Sequence, residues 1–304
     1  MLHKNVSGIL VRDQEENVPM DKTILKQFLY AGYMENGLLK ESSSGMPQGG
    51  IISPCISLIA LSGLEQELTK KYKKCKVNIV SYADDFIITG KSKELLEQEV
   101  IPTTAEFLRE RGLELSNTKT QITHINDGFD FLGFNIRKYG EKCITKPSKT
   151  AVKTFLQDIN KIIKTNVGAK TENLLFQLNP KIRGWVNYYH HSASSKTFSY
   201  IDHRIFQMLY RWAQKRHANK GFKWINQKYF QRNYWNNWHF HAKTQKHNCI
   251  ELILAGRTKI KRHSKIKSAA TPYKPEYNEY LRKRSGKLKT SSTSVAGSDY
   301  ALAL

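Results

Sequence analysis

At Tyr82-Ala83-Asp84-Asp85 two carboxylates stand side by side between two apolar arms, V-N-I-V-S before them and F-I-I-T after. The arms are rich in β-branched and aromatic residues, so Val77 to Thr89 reads as a hairpin with the acids at its turn. Adjacent carboxylates repel unless a cation sits between them, and hard oxygen donors suit Mg²⁺. Carboxylates that hold two such ions can activate a 3′-hydroxyl and stabilise a leaving pyrophosphate. The same residues also fit a solvated turn, because Asp favours turns. The spacing alone leaves both readings open.

A second candidate lies upstream, in G-M-P-Q-G-G-I-I-S-P from Gly45 to Pro54. Glycines let a backbone approach a ligand closely, and their N–H groups can meet phosphates. Gln48 can bond a base edge or a sugar, Gly49 leaves room beside it, and the helix start that follows favours anions. No Gly-Lys-Ser/Thr follows, so this is not a P-loop. A third candidate, His239, His241, His247 and Cys249, matches no standard zinc spacing. A basic strand pair rich in His and Trp that contacts nucleic acid suits the local charge better.

These residues need elements to hold them. Asp21 to Tyr30 has helical apolar spacing, and Lys40 to Ser53 is a loop. Pro54 to Leu68 predicts a helix with Pro at its start. Ser92 to Gly112 predicts a helix with a wet acidic side, and Lys119 to Ile136 returns to short strands. A boundary falls near Tyr139 to Lys149. Beyond it the periodicity predicts helices over Lys149–Thr165, Thr171–His191 and Ser195–Ala218. Pro180 should kink or break the middle one. Trp185, Tyr188, Tyr189, Tyr210 and Trp212 recur at helical spacing, and most of them are expected to pack in a core. Phe222 to Ile253 is dense in aromatics and His, and Thr258 to Lys289 is a Lys/Arg-rich arm.

The glycine loop and the Y-A-D-D turn together resemble the reverse transcriptases of group II introns. The resemblance continues in order through L-E-L-S-N-T-K (Leu113 to Lys119), F-L-G-F (Phe131 to Phe134) and R-G-W-V-N-Y-Y (Arg183 to Tyr189). It implies an α+β fold. An incomplete palm of antiparallel sheet and helices occupies 1–140. A helical thumb or maturase domain follows over 149–220, then a basic nucleic-acid-binding region over 221–285 and a disordered tail over 286–304. It implies that Asp84 and Asp85 are catalytic and hold Mg²⁺, two ions in a complete site. Gln48, Gly49, Tyr82 and Lys119 would meet nucleotide or template. Phe131, Leu132 and Gly133 would form the primer grip, and Arg183, Lys215, Arg216 and Lys220 would face RNA phosphates. The implied partners are group II intron RNA and a DNA primer or target.

The same resemblance implies a third carboxylate upstream of the glycine loop, and nothing here matches it. The chain is therefore expected to begin inside the palm, with a missing N-terminal polymerase fragment as a possible partner. Pro272 to Tyr280 resembles the stretch before a Cys-rich H-N-H endonuclease module, which the tail does not supply, so DNA cleavage is not expected. Copying of RNA into DNA, with assistance to intron splicing and mobility, is one reading. A non-catalytic RNA-binding chaperone or decayed remnant is the other.

Composition narrows the classes. The 304 residues carry a net charge of +23, and 39% are hydrophobic, which excludes a wholly disordered chain. Residues 1–140 hold 17 basic and 18 acidic residues, whereas 141–304 hold 32 and 8. Such a polycation repels itself unless a polyanion neutralises it, and a phosphate backbone is the obvious one. No apolar run is long enough to span a membrane. Four scattered cysteines give no disulfide framework, so a reduced, intracellular location is the default. The resemblance implies a bacterial cytoplasm, with nucleoid or ribonucleoprotein association.

Overall fold

The computed structural model describes residues 21–30, 32–35, 37–40, 53–116, 118–233, 236–243, 249–263, 266–267, 270, 274–287 and 300–303. The fold is α+β with small antiparallel sheets. It divides into two compact units, Met1–Phe129 with Ala296–Leu304, and Asp130–Val295.

The first unit opens with α1 (Lys22–Tyr30) and a short hairpin of β1 (Tyr33–Glu35) and β2 (Leu38–Lys40). Where the sequence predicts one helix over Pro54 to Leu68, there are two, α2 (Ser53–Leu61) and α3 (Leu64–Lys71). Gly63 separates them at φ +86°, a conformation that ends a helix and suits glycine. The turn lets Leu64 and Leu68 both enter the core. Next come β3 (Asn78–Tyr82) and β4 (Asp85–Gly90). The helical run that follows passes through Lys93–Leu95, a π-turn at Leu96–Val100, and Ile101–Arg109. Pro102 has no N–H to give to the preceding turn, and the helix widens directly before it. Ser92 Oγ caps the start by accepting from Leu95 N at 3.3 Å. Leu68, Phe86, Ile88, Leu96, Val100 and Phe107 form the core. The sheet order is β3-β4-β12-β5, with β5 at Gln121–His124 and β12 at Tyr300–Ala303. Of the tail expected to lack structure, these last residues and the end of the Asn278–Lys287 helix are described, and both are regular.

The second unit begins with a three-stranded sheet, β6 (Phe129–Phe131), β7 (Phe134–Tyr139) and β8 (Lys142–Pro147). Three long helices follow, α4 (Lys149–Thr165), α5 (Thr171–Tyr189) and α6 (Ser195–Arg216). Ser148 caps the first, its Oγ accepting from Ala151 N at 3.1 Å. The middle helix runs unbroken through Pro180, which sits on an exposed face, and the burial of Leu174, Leu178, Ile182 and Val186 holds it together. Facing residues Ile159, Ile163, Phe198, Ile205, Leu209 and Trp212 complete the core. Tyr189 and Trp212 are buried as the spacing predicts, but Tyr188 is half exposed, at 52%. Helix α7 (Phe222–Tyr229) leads into a sheet of β9 (Phe230–Asn233), β10 (Asn236–Lys243) and β11 (Cys249–Glu251).

Candidate functional site

The hairpin closes as the sequence predicts. Tyr82 pairs with Asp85, leaving Ala83 and Asp84 as the two-residue turn. Ala83 takes φ +54°, where an L-residue is strained, so the tip is held in a conformation that its sequence resists. Phe86, Ile87 and Ile88 anchor β4 in the core, while Asp84, Asp85 and Tyr82 are exposed at the tip. Both carboxylates are therefore free to meet a ligand from solvent. Lys119 is exposed in the turn before β5, where its N–H donates to Ser116 O at 3.0 Å. Gln48 and Gly49 lie outside the described residues. Among the described residues no three His, Cys, Asp or Glu side chains converge as a metal site. Two acids on one tip do not by themselves make a two-ion site, because each ion needs bridging oxygens.

In the second unit, two motifs that are distant in sequence prove to be one device. The turn at Leu132 and Gly133 has φ +49° and +77°, and it docks on the end of α5. Tyr188 Oη donates to Leu132 O at 2.9 Å and Tyr189 Oη to Gly133 O at 3.2 Å. Phe134 stacks on Tyr188 with ring centroids 5.2 Å apart. A Cβ on Gly133 would sit 2.5 Å from Tyr189 Oη, so only glycine fits. Burial pushes the Tyr189 phenol above its ordinary pKa. Of the expected primer-grip residues, Leu132 and Gly133 are thus fixed in position by the W-V-N-Y-Y helix, and Phe131 ends β6 just before them.

The same unit holds 34 of the 49 basic residues and 8 of the 26 acidic ones. Five of these cations, Lys146, Lys149, Lys153, Lys196 and Arg204, line a groove of about 590 Å³ together with Tyr200. Arg204 Nη1 donates to Gln207 Oε1 at 2.9 Å, and among the described residues its buried Nε has no acceptor. Tyr200 exposes its ring beside these charges. Cations beside an exposed aromatic suit a phosphate backbone with stacked bases. Sequence reasoning missed this groove. The signal was present in the spacings 149/153 and 196/200/204, which put each set on one helix face.

Of the four cations singled out for RNA, Arg183, Lys215 and Lys220 are exposed. Lys220 Nζ stands 5.6 Å from the Trp224 ring. Arg216 is differently employed. Its Nη1 donates to Val167 O at 3.2 Å and to Ala169 O, and it lies over Trp212. The start of the basic arm is also fastened down. Asp202 accepts from Ala255 N and Gly256 N at 2.8 Å each, and burial raises its carboxyl pKa. Lys261 N donates to His190 O at 3.0 Å. His239 and His241 are buried, and His239 Nε2 lies 3.0 Å from Leu252 O. Cys249 is exposed and His247 lies outside the described residues.

Residues 12–136 match the family "Reverse transcriptase (RNA-dependent DNA polymerase)", and residues 152–230 match "Group II intron, maturase-specific domain". The chain belongs to the reverse transcriptase/maturases of group II introns. The curated relatives agree. Protein YkfC of Escherichia coli (strain K12) is 33% identical over 154 residues, 39% of this chain and 40% of that protein. Group II intron-encoded protein LtrA of Lactococcus lactis subsp. cremoris is 26% identical over 214 residues, 51% of this chain and 36% of that protein. The matches thus span well under half the length of either relative.

The two family matches divide this chain much as its charge does. The reverse-transcriptase match contains the Asp84-Asp85 tip. The maturase match holds most of α4, all of α5 to α7, and the cations Lys153, Arg183, Lys196, Arg204, Lys215 and Lys220. Lys146 and Lys149 lie just before it, and the F-L-G-F turn that docks on α5 belongs to the reverse-transcriptase match up to residue 136. Among the described residues, no helix is long and apolar enough to cross a membrane.

Proposed function

We propose that this chain is an intron-RNA-binding maturase in which the second unit carries the RNA affinity. The observation that carries this reading is the charge division by unit, with 34 basic and 8 acidic residues in one and 15 and 18 in the other. Binding of that kind needs no active site. It needs a broad cationic surface that lowers the free energy of a compact polyanion, and so favours the splicing-competent fold of the intron. Lys149, Lys153, Lys196 and Arg204, with exposed Arg183, Lys215 and Lys220, contact RNA phosphates in this reading. The location is cytoplasmic, within a ribonucleoprotein.

Reverse transcription belongs to the same reading with one condition. Asp84 and Asp85 would hold Mg²⁺, Gln48, Gly49, Tyr82 and Lys119 would meet nucleotide or template, and the turn at Phe131 to Gly133 would support the DNA primer. Mg²⁺ would supply the activation of the primer hydroxyl. Among the described residues no third acid converges on this pair, and the non-catalytic chaperone reading needs none. The test is primer extension by the full chain on an RNA template with Mg²⁺. No extension is expected. Labelled-nucleotide incorporation that vanishes in Asp84→Ala would overturn the RNA-only account of the isolated chain.

A further inference from the structure

The cationic groove of the second unit has a floor that phosphate contacts leave unused. Its charged rim is Lys149 and Lys153 on α4 and Lys196 on α6, all exposed. Between them lie Pro147, Val152, Leu156 and Met208. Pro147 and Leu156 are buried, and Val152 and Met208 are half-buried against the core. Among the described residues no Asp or Glu lines the groove. A phosphate laid on such a floor would lose water without gaining a hydrogen bond, so the floor suits an uncharged, flat ring. The volume of about 590 Å³ is that of a small-molecule site and not of a broad electrostatic face.

Two polar side chains reach this groove with their bonding capacity unused. Gln157 and Asn160 line it from α4, and neither amide bonds another described residue. From α6, Tyr200 brings a ring that is 51% exposed. An amide offers a donor and an acceptor side by side, the complement of the N6 amine and neighbouring ring nitrogen of adenine. Guanine presents two acceptors, O6 and N7, and needs a pair of donors instead. Arg204, which could supply them, already gives Nη1 to Gln207 Oε1.

We propose that this groove takes one unstacked adenine of single-stranded RNA. Tyr200 stacks on its face, Gln157 and Asn160 read its edge, and Lys149, Lys153 and Lys196 hold the phosphates on either side. The proposal rests on the RNA-binding reading given under Proposed function and adds sequence choice to it. Phosphate contacts fix register, whereas base contacts specify, and RNA is read chiefly at bases splayed out of the stack. The site is short. At 1.5 Å per residue, Lys149 to Asn160 spans about 16 Å of helix and Lys196 to Arg204 about 12 Å, so one base with its flanking phosphates fills it.

The experiment titrates the full chain into short labelled oligouridylates that differ only at the central position, which is adenosine, guanosine, purine riboside or an abasic site. Anisotropy gives the affinity of each over a range of salt. Adenosine should bind about tenfold more tightly than purine riboside, which keeps the ring but lacks the N6 amine. Purine riboside should bind about tenfold more tightly than the abasic site, through stacking. All should share one salt slope, because they carry the same phosphates. Gln157→Leu with Asn160→Leu should lower adenosine to the level of purine riboside and leave the slope unchanged, a split that a merely structural role would not produce. Lys153→Gln should weaken all of them alike and lower the slope by about one. Equal binding of the adenosine and abasic oligomers, or binding of none, overturns the base pocket. Group II intron RNA bound with a steep salt slope in the same assay then leaves the wider RNA-binding reading standing, and a flat slope for that RNA overturns both. A preference for guanosine overturns the reading of the base by the two amides. Should the double variant fail to fold, the oligomer series on the parent chain decides by itself.

Discussion

Gly133 shows how a single residue joins two motifs. Its positive φ and the 2.5 Å approach to Tyr189 Oη both exclude a side chain. Gly133→Ala is expected to destabilise the second unit by about 2 kcal/mol or more, from left-handed strain plus the clash. Tyr189→Phe should lose about 1 kcal/mol with its hydrogen bond. Together they should lose less than the sum, because removing Oη relieves the clash, and urea midpoints of the four proteins check this. His239 gives a pH signature. Burial pushes its pKa below the ordinary value, against the opposing pull of Glu251. Burial prevails because the ring is 2% exposed while Glu251 lies 41% exposed in screening solvent, 3.3 Å away. The folded state therefore binds fewer protons than the unfolded one. Its contribution is fully present above about pH 6.5 and is lost as pH falls from there through the folded value. Stability should decline over that window in the parent and more shallowly in His239→Asn, as followed by urea unfolding.

At the scale of elements, the hairpin tip invites a direct test. Ala83 pays for its left-handed conformation, so Ala83→Gly should stabilise the first unit by about 1 kcal/mol, read as a raised urea midpoint. Much at this scale was legible in the sequence. The apolar arms of Val77 to Thr89 fix the hairpin, and the 3.6-residue apolar period fixes Lys149–Thr165 to the residue. What escaped depended on contacts between distant segments. Helix periodicity continues through Gly63, so the break there is invisible until Leu64 and Leu68 are seen to share a core. Pro180 reads as a breaker, but tertiary burial of its helix overrides the local penalty. That F-L-G-F docks on W-V-N-Y-Y follows from two tyrosine hydroxyls that no local pattern reveals. Asp84 and Asp85 were legible as a pair. The strand between β4 and β5 was not, because it comes from more than 170 residues further along the chain.

Across the whole molecule, the basic residues collect in the unit of Asp130–Val295 while the carboxylate tip lies in the other. Charge was the part of the function most legible in the sequence, since counting needs no structure. The particular cations were harder to find. Arg216 has helical spacing like its neighbours, but its guanidinium ties the loop at Val167 and Ala169, and Lys149, Lys153, Lys196 and Arg204 gather only when two helices pack. The most direct test of RNA binding by the second unit is the salt dependence of the full chain's affinity for a group II intron RNA. A surface that neutralises six to ten phosphates should lose about 10³–10⁵ in affinity between about 50 and 200 mM salt. Changing Lys149, Lys153, Lys196 and Arg204 to Gln together should lower the slope by about three to four, whereas Lys73→Gln with Lys74→Gln in the first unit should leave it unchanged. A salt-independent affinity, or an equal loss of slope from the first-unit pair, would contradict the assignment of RNA binding to the second unit.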